Sequence, residues 1–341
     1  MQPETVSTAK TPVASDKEMK KNIFKKFPIF YYSIGLGLSG LVVSTQRIEQ
    51  LFNLNFQISD YLLYLAMSIY TIISFFYLMK LIFHFSEVKK EWHHPIKLSF
   101  FGTISIPILL LNIAFFPNNL FISKILWIIG SILQLVFSVS IFNIWIYREN
   151  FEIDHINPGW LIPVVGLILV PVTGVEHFFI EISWLYYSAG LIMWISLFAI
   201  IYYRVIFHNP MEGKLFPTFL MFLAPPAVGF ISYIKLNGHI DNFGKILYSF
   251  ALFMAVVMLF QLKVFSKLKF YLSWWTYSFP LSSMTISSLL MYKLTGTPAF
   301  KIIGIIFYLI LVSVILMLIP KTLHAIFSQK VESLGYEVDK I

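Results

Sequence analysis

Seven hydroxyl side chains crowd into residues 273–285, at Ser273, Thr276, Tyr277, Ser278, Ser282, Ser283 and Thr285. The same stretch carries Pro280, with the bulky Phe279 directly before it. It opens a segment with the length of a membrane-spanning helix. Lipid offers such a segment no hydrogen-bond partners, so its polar face must turn into protein or into a water-filled path. These residue types suit weak, reversible contact with a passing solute rather than bond-making. The expectation is a helix lining a conduction route that Phe279 obstructs. Phe279 is also one of 35 phenylalanines, so plain packing is the competing reading. Its place before a proline on a hydroxyl-rich span favours the obstruction.

Other reactive side chains point to simpler roles. His93 and His94 are adjacent on a polar linker beside Lys89 and Lys90. Side chains at i and i+1 diverge, so the pair makes a poor chelate and is expected to be a solvated loop. Glu176, His177 and Glu181 could hold a divalent ion or sense pH, but capping helix ends at the membrane interface is the expected role. Arg148, Glu149, Glu152, Asp154 and His155 are expected to form a salt-bridged loop. The chain has no cysteine, which excludes disulfides, thiolate metal sites and cysteine nucleophiles. No phosphate-binding glycine loop, nucleophile elbow or HExxH is present. No enzyme activity, cofactor, metal or nucleic-acid partner is expected.

The elements that must position these residues are membrane spans. The chain is 58% hydrophobic and only 12% charged, with a mean hydropathy of +0.77. A soluble domain carries roughly 25% charged residues. Ten apolar segments, each near the ~20 residues needed to cross ~30 Å of hydrocarbon, fall at about 27–45, 58–83, 98–116, 120–147, 157–175, 179–207, 216–234, 242–262, 273–292 and 299–319. Residues 1–26 form a basic polar tail, 27–325 the transmembrane domain and 326–341 a second tail. An even number of spans puts both termini on one side. That side would hold 19 of the 25 lysines and arginines, so both ends are expected in the cytoplasm, with the chain in the cell (inner) membrane.

Proline divides the segments into two classes. The odd-numbered ones contain Pro28, Pro107, Pro158, Pro163, Pro171, Pro217, Pro225, Pro226 and Pro280, whereas the interiors of the even-numbered ones contain none. Proline frees a carbonyl and kinks a helix, which a membrane tolerates where neighbouring helices or cavity water satisfy the carbonyl. Kinked odd helices are therefore expected inside and straight even helices against lipid. The odd segments also contain no Asp, Glu, Lys, Arg or His. Pumps and proton relays usually need ionisable groups at membrane depth. An uncharged inner ring with a basic cytoplasmic side suits weakly held anions in a channel or passive carrier.

Several stretches together resemble the tellurite-resistance/dicarboxylate transporter family, which includes bacterial TehA-type proteins and the plant slow anion channels. Asn157-Pro158-Gly159-Trp160-Leu161-Ile162-Pro163-Val164-Val165 is similar to its N-P-x-W-x-I-P-V-V pattern. Phe216-Pro217-Thr218 with Leu223-Ala224-Pro225-Pro226-Ala227 is similar to its P-T…A-P-P segment. Trp275-Thr276-Tyr277-Ser278-Phe279-Pro280 resembles W-A-Y-x-F-P, departing at Thr276, where a small apolar residue is common. Ser33 stands where some members have glycine. The resemblance implies an all-α membrane protein of ten transmembrane helices, paired as five hairpins, with five inner helices around a central pore. It also implies a homotrimer with a pore in each subunit, each plugged by Phe279. The pore-lining candidates are Ser33, Gly37, Gly102, Pro163, Gly166, Pro225, Gly229, Thr276, Ser282 and Ser283. The function implied is an anion channel for nitrate or chloride. A secondary exporter of sulfite, tellurite or dicarboxylate such as malate is the alternative.

Overall fold

A computed structural model describes residues 24–148, 151–261 and 270–328. The two expected tails fall almost wholly outside these residues. The described chain is helical, and no strand occurs among its residues. In chain order the helices are α1 (Tyr32–Phe52), α2 (Ile58–Phe83), α3 (Phe85–His93), α4 (Gly102–Phe115), α5 (Leu120–Tyr147), α6 (Ile162–Leu169) and α7 (Pro171–His177). They continue as α8 (Ile180–Phe207), α9 (Ala224–Asn237), α10 (Asn242–Leu259), α11 (Ser278–Thr295) and α12 (Pro298–Phe327).

Among the described residues, eight segments are long and apolar enough to cross a bilayer. The hydroxyl-rich α11 and the α1 segment, with its glycines, serines and terminal Arg47 and Glu49, are not among them. Burial separates two kinds of helix. The spans at Leu98–Phe115 and Pro158–His177 are each 94% buried, and Phe216–Asn237 is 78% buried. Those at Ile58–Phe83, Leu120–Tyr147, Ile180–Phe207, Asn242–Leu259 and Pro298–Ile326 are 22–39% buried. Their exposed side chains are large and apolar, such as Phe75, Phe121, Leu185, Phe253 and Leu316, as a lipid-facing surface requires. Helices α1 and α11 belong with the buried class, with 16 of 21 and 12 of 18 residues buried. Each buried helix packs against the exposed helix that follows it: α1 on α2, α4 on α5, α6 and α7 on α8, α9 on α10, α11 on α12.

The prolines act differently from simple kinks. Each buried segment starts in a tight 3-10 turn: Ile29–Tyr31, Leu98–Phe101, Pro158–Leu161, Phe216–Phe222 and Leu272–Tyr277. Pro163, Pro225 and Pro226 then occupy the first turn of an α-helix, where a missing N–H costs no hydrogen bond. Only Pro107 among these helices lies in a helix interior, and Pro171 marks the break between α6 and α7. Two of the buried helices, α9 and α11, end on glycines with left-handed backbone, Gly238 at φ 78° and Gly296 at φ 70°.

Candidate functional site

A cavity of about 700 Å³ opens among the buried helices, and every one of the five buried segments contributes to its wall. Val43 and Arg47 come from α1, Leu110 and Ile113 from α4, Leu169 from α6, Val172 and Glu176 from α7. Val228, Ile231 and Lys235 come from α9. The α11 wall runs from Phe279 through Ser282, Ser283 and Ile286 to Lys293. At the helical rise, Phe279 to Lys293 spans about 21 Å, most of the ~30 Å hydrocarbon thickness. Phe279 is the α11 wall residue farthest from the C-terminal ends of the helices and is 1% exposed. Its benzyl group stands on the wall of this space.

Of the gate and pore-lining candidates, the structure brings Phe279, Ser282 and Ser283 together on the cavity wall. The others are buried away from it, mostly at helix contacts. A Cβ at Gly37 would collide with Ser278 and Trp275, so this glycine lets α1 approach the 3-10 turn before α11. Gly102 faces Ile162 and the backbone of Pro163, Gly166 faces the Gln134 amide of α5, and Gly229 lies opposite Ile168 and Leu247. Pro163 offers its carbonyl oxygen to Gln134 Nε2 at 2.8 Å and to Ser138 Oγ at 2.9 Å. Pro225 lies buried in the first turn of α9, and Ser33 is fully buried.

The hydroxyls mostly bond their own helical turn. Thr276 Oγ1 donates to the Ser273 carbonyl at 2.6 Å, Ser283 Oγ to that of Phe279 at 2.9 Å and Thr285 Oγ1 to that of Leu281 at 2.9 Å. Thr103 and Thr218 do the same to Phe100 and Leu215. This satisfies these donors without help from lipid, and a hydroxyl can rotate its proton toward a passing anion at little cost. The Oγ atoms of Ser33, Ser39, Ser74, Ser99 and Ser183 are exceptions, with no partner among the described residues.

Charge enters the wall toward the helix C-termini, and its basic members were not among the candidates named from the sequence. Helices α1, α7, α9 and α11 run past the apolar limits of their segments, and these extensions carry Arg47, Glu176, Lys235 and Lys293 into the wall. The signal available was the placement of basic residues just beyond each apolar run, where helix C-termini favour cations.

The remaining candidates separate. His177 turns inward, its Nε2 2.8 Å from Ser123 Oγ, beside a cluster in which Ser123 donates to the Asn112 carbonyl and Thr173 to Asn112 Oδ1. Glu181 is exposed on α8. His94 Nδ1 accepts the backbone N–H of Ile96 at 3.2 Å, and burial pushes its imidazole down to about 4. No metal-binding group of three His, Asp or Glu occurs among the described residues. The loop ion pair joins Asp154 to Arg204 at 3.1 Å, not to Arg148, which donates to the His93 carbonyl. Glu149 lies outside the described residues.

A membrane protein with an apolar cavity ringed by buried helices is a conduction or transport architecture. Residues 26–323 match the SLAC1 family, voltage-dependent anion channels, and the chain belongs to it. An uncharacterized transporter of Methanocaldococcus jannaschii is 28% identical over 90% of this chain and 97% of its own length. The tellurite resistance protein TehA homolog of Haemophilus influenzae is 28% identical over 90% of this chain and 94% of its own. The guard cell S-type anion channel SLAC1 of Arabidopsis thaliana is 24% identical over 80% of this chain and 51% of its own.

Proposed function

We propose that this chain is a channel for small monovalent anions, nitrate and chloride, whose route is closed by the Phe279 side chain. The observation that carries the reading is that Phe279 lines a cavity to whose wall all five buried segments contribute. In this reading ten helices pair as five hairpins, with the five buried segments around a pore and their partners against lipid. Both termini lie in the cytoplasm, the cavity opens to the outside, and subunits assemble as a homotrimer in the cell (inner) membrane.

An anion moved from water into low dielectric without replacement partners costs tens of kcal/mol. A water file through the bundle avoids most of that cost, and the benzyl group interrupts the file. Hydroxyls of Ser282 and Ser283 next to it attract an anion weakly enough to release it, as conduction requires. Large, easily dehydrated nitrate then passes more readily than chloride. No Asp, Glu, Lys, Arg or His lies in the odd segments within the bounds 27–45, 98–116, 157–175, 216–234 and 273–292, so proton coupling has no group to use there.

The test is reversal-potential recording on reconstituted wild type and Phe279→Ala across nitrate, chloride and malate. The expected result is a large rise in nitrate and chloride current in the variant at unchanged folding. Background current from a folded Phe279→Ala protein sinks the plug, and saturable counter-exchange without unitary current replaces the channel with a carrier.

A further inference from the structure

Toward the helix C-termini the cavity wall is rich in positive charge. Arg47, Lys235 and Lys293 line it, opposed by one carboxylate, Glu176. None of the three cations makes an ion pair among the described residues. Arg47 Nη1 donates only to the neutral Gln50 Oε1, at 2.9 Å. A fourth cation, Lys301, sits beside the wall with its Nζ 5.8 Å from the ring of the lining residue Tyr292 and 5.2 Å from that of Phe52. Glu49 is not on this wall: its carboxylate accepts from the N–H and hydroxyl of Ser59 in a separate recess.

One role for Lys235 and Lys293 is local: each lies in the last turn of its helix, where it offsets the partial negative charge of the unpaired carbonyls. That role takes about half a charge per helix end and leaves an excess, since Arg47 stands on a third wall of the same space. Below this ring the wall turns apolar at Leu110, Ile113, Val172, Val228 and Ile231 and ends on Phe279.

We infer that the ring of Arg47, Lys235 and Lys293 is a capture site for small anions that holds doubly charged ones without passing them. The inference rests on the pore reading for its consequence, though not for the binding itself. Coulomb attraction to the ring grows in proportion to the charge of the anion, while the cost of entering the uncharged stretch below grows with its square. A monovalent anion is concentrated by the ring and moves on. A dianion is attracted twice as strongly and meets a barrier roughly four times as high. It therefore stays at the ring and blocks from this side.

The experiment is calorimetric titration of sulfate into the purified full chain, with ionic strength held constant by a chloride salt. Saturable binding is expected in wild type. It should be about tenfold weaker in Lys235→Gln/Lys293→Gln and tighter in Glu176→Gln, with no change in Lys124→Gln, an exposed lysine outside the cavity wall. Sulfate added to the cavity side should also reduce the nitrate current of Phe279→Ala, and less so in the double-lysine background. Sulfate binding that is absent in wild type, or equal in wild type and the double variant, overturns the site. Loss of binding in the double variant supports the site even where Phe279→Ala fails to conduct. A conducting Phe279→Ala whose sulfate affinity ignores the lysines overturns the site and leaves the pore reading standing.

Discussion

Ser44 Oγ donates to Ser282 Oγ at 3.0 Å, and Ser282 donates in turn to the Gly40 carbonyl at 2.9 Å, joining α1 to α11 one turn beyond Phe279. The contact depends on Gly40, because a Cβ there would stand 3.0 Å from Ser282 Oγ and 3.1 Å from its Cβ. Interhelical hydrogen bonds in membranes average about 0.6 kcal/mol, whereas overpacking a tight contact costs about 1–3 kcal/mol. Gly40→Val is therefore expected to lower the unfolding midpoint in detergent more than Ser282→Ala does. The reverse order would mean that hydroxyl bonding, not close helix approach, holds α1 against α11.

At the other end of the bundle a buried ion pair fixes the chain's first turn. Lys80 Nζ lies 2.9 Å from Glu91 Oε2, with the two side chains 3% and 7% exposed. Tyr77 donates to the same carboxylate, the Ile29 N–H reaches its other oxygen, and Lys80 donates to the Phe27 carbonyl. Removing one member leaves an uncompensated buried charge, at about 3–5 kcal/mol. Lys80→Met and Glu91→Leu should each destabilise strongly, and the double variant should cost well below their sum. Additive losses in a thermal-unfolding cycle would show that the two groups do not depend on each other.

Acid should weaken the linker between α3 and α4 through His94. Burial holds this imidazole near 4 against its usual 6.5, and the charges of Lys97, His155 and Lys214 push the same way. Between those values the unfolded chain binds a proton that the folded chain refuses, so stability falls as pH drops from 6.5 toward 4. Protonation would also remove the Nδ1 acceptor used by the N–H groups of Ile96 and Lys97. The melting temperature of wild type should drop over that range, and that of His94→Asn, which keeps an acceptor but cannot titrate, should drop less. Parallel curves for the two proteins would remove His94 from the account.

The radial order of the helices was legible because proline and charge are excluded from opposite places for physical reasons. Proline is tolerated where a neighbour can satisfy freed backbone groups, and the segments rich in it are the ones the structure buries. Rotation was not legible. Gly37, Gly102 and Gly166 look alike whether a missing side chain widens a cavity or admits a neighbouring helix, and all three face helices. Apolar limits also understate helix length, since hydropathy ends at Ile234 and Tyr292 while the helices carry on through Lys235 and Lys293.

Gly166 is the position where those two roles can be told apart by measurement. A Cβ there would collide with the Gln134 amide. That amide cannot swing aside, because Nε2 donates to the Pro163 carbonyl and Ser138 Oγ while Oε1 accepts from Ser105 Oγ at 2.7 Å. Gly166→Ala alone should cost about 1–3 kcal/mol from the forced displacement. Gln134→Ala alone leaves the Ser105 hydroxyl to the Gly102 carbonyl, at 3.2 Å, while Ser138 still donates to Pro163. In the double variant the new methyl occupies space the amide has left, so its cost should fall below the sum of the singles, with a coupling of about 0.5–3 kcal/mol. Strict additivity, together with altered nitrate selectivity in a stable Gly166→Ala protein, would instead put this glycine on the conduction route.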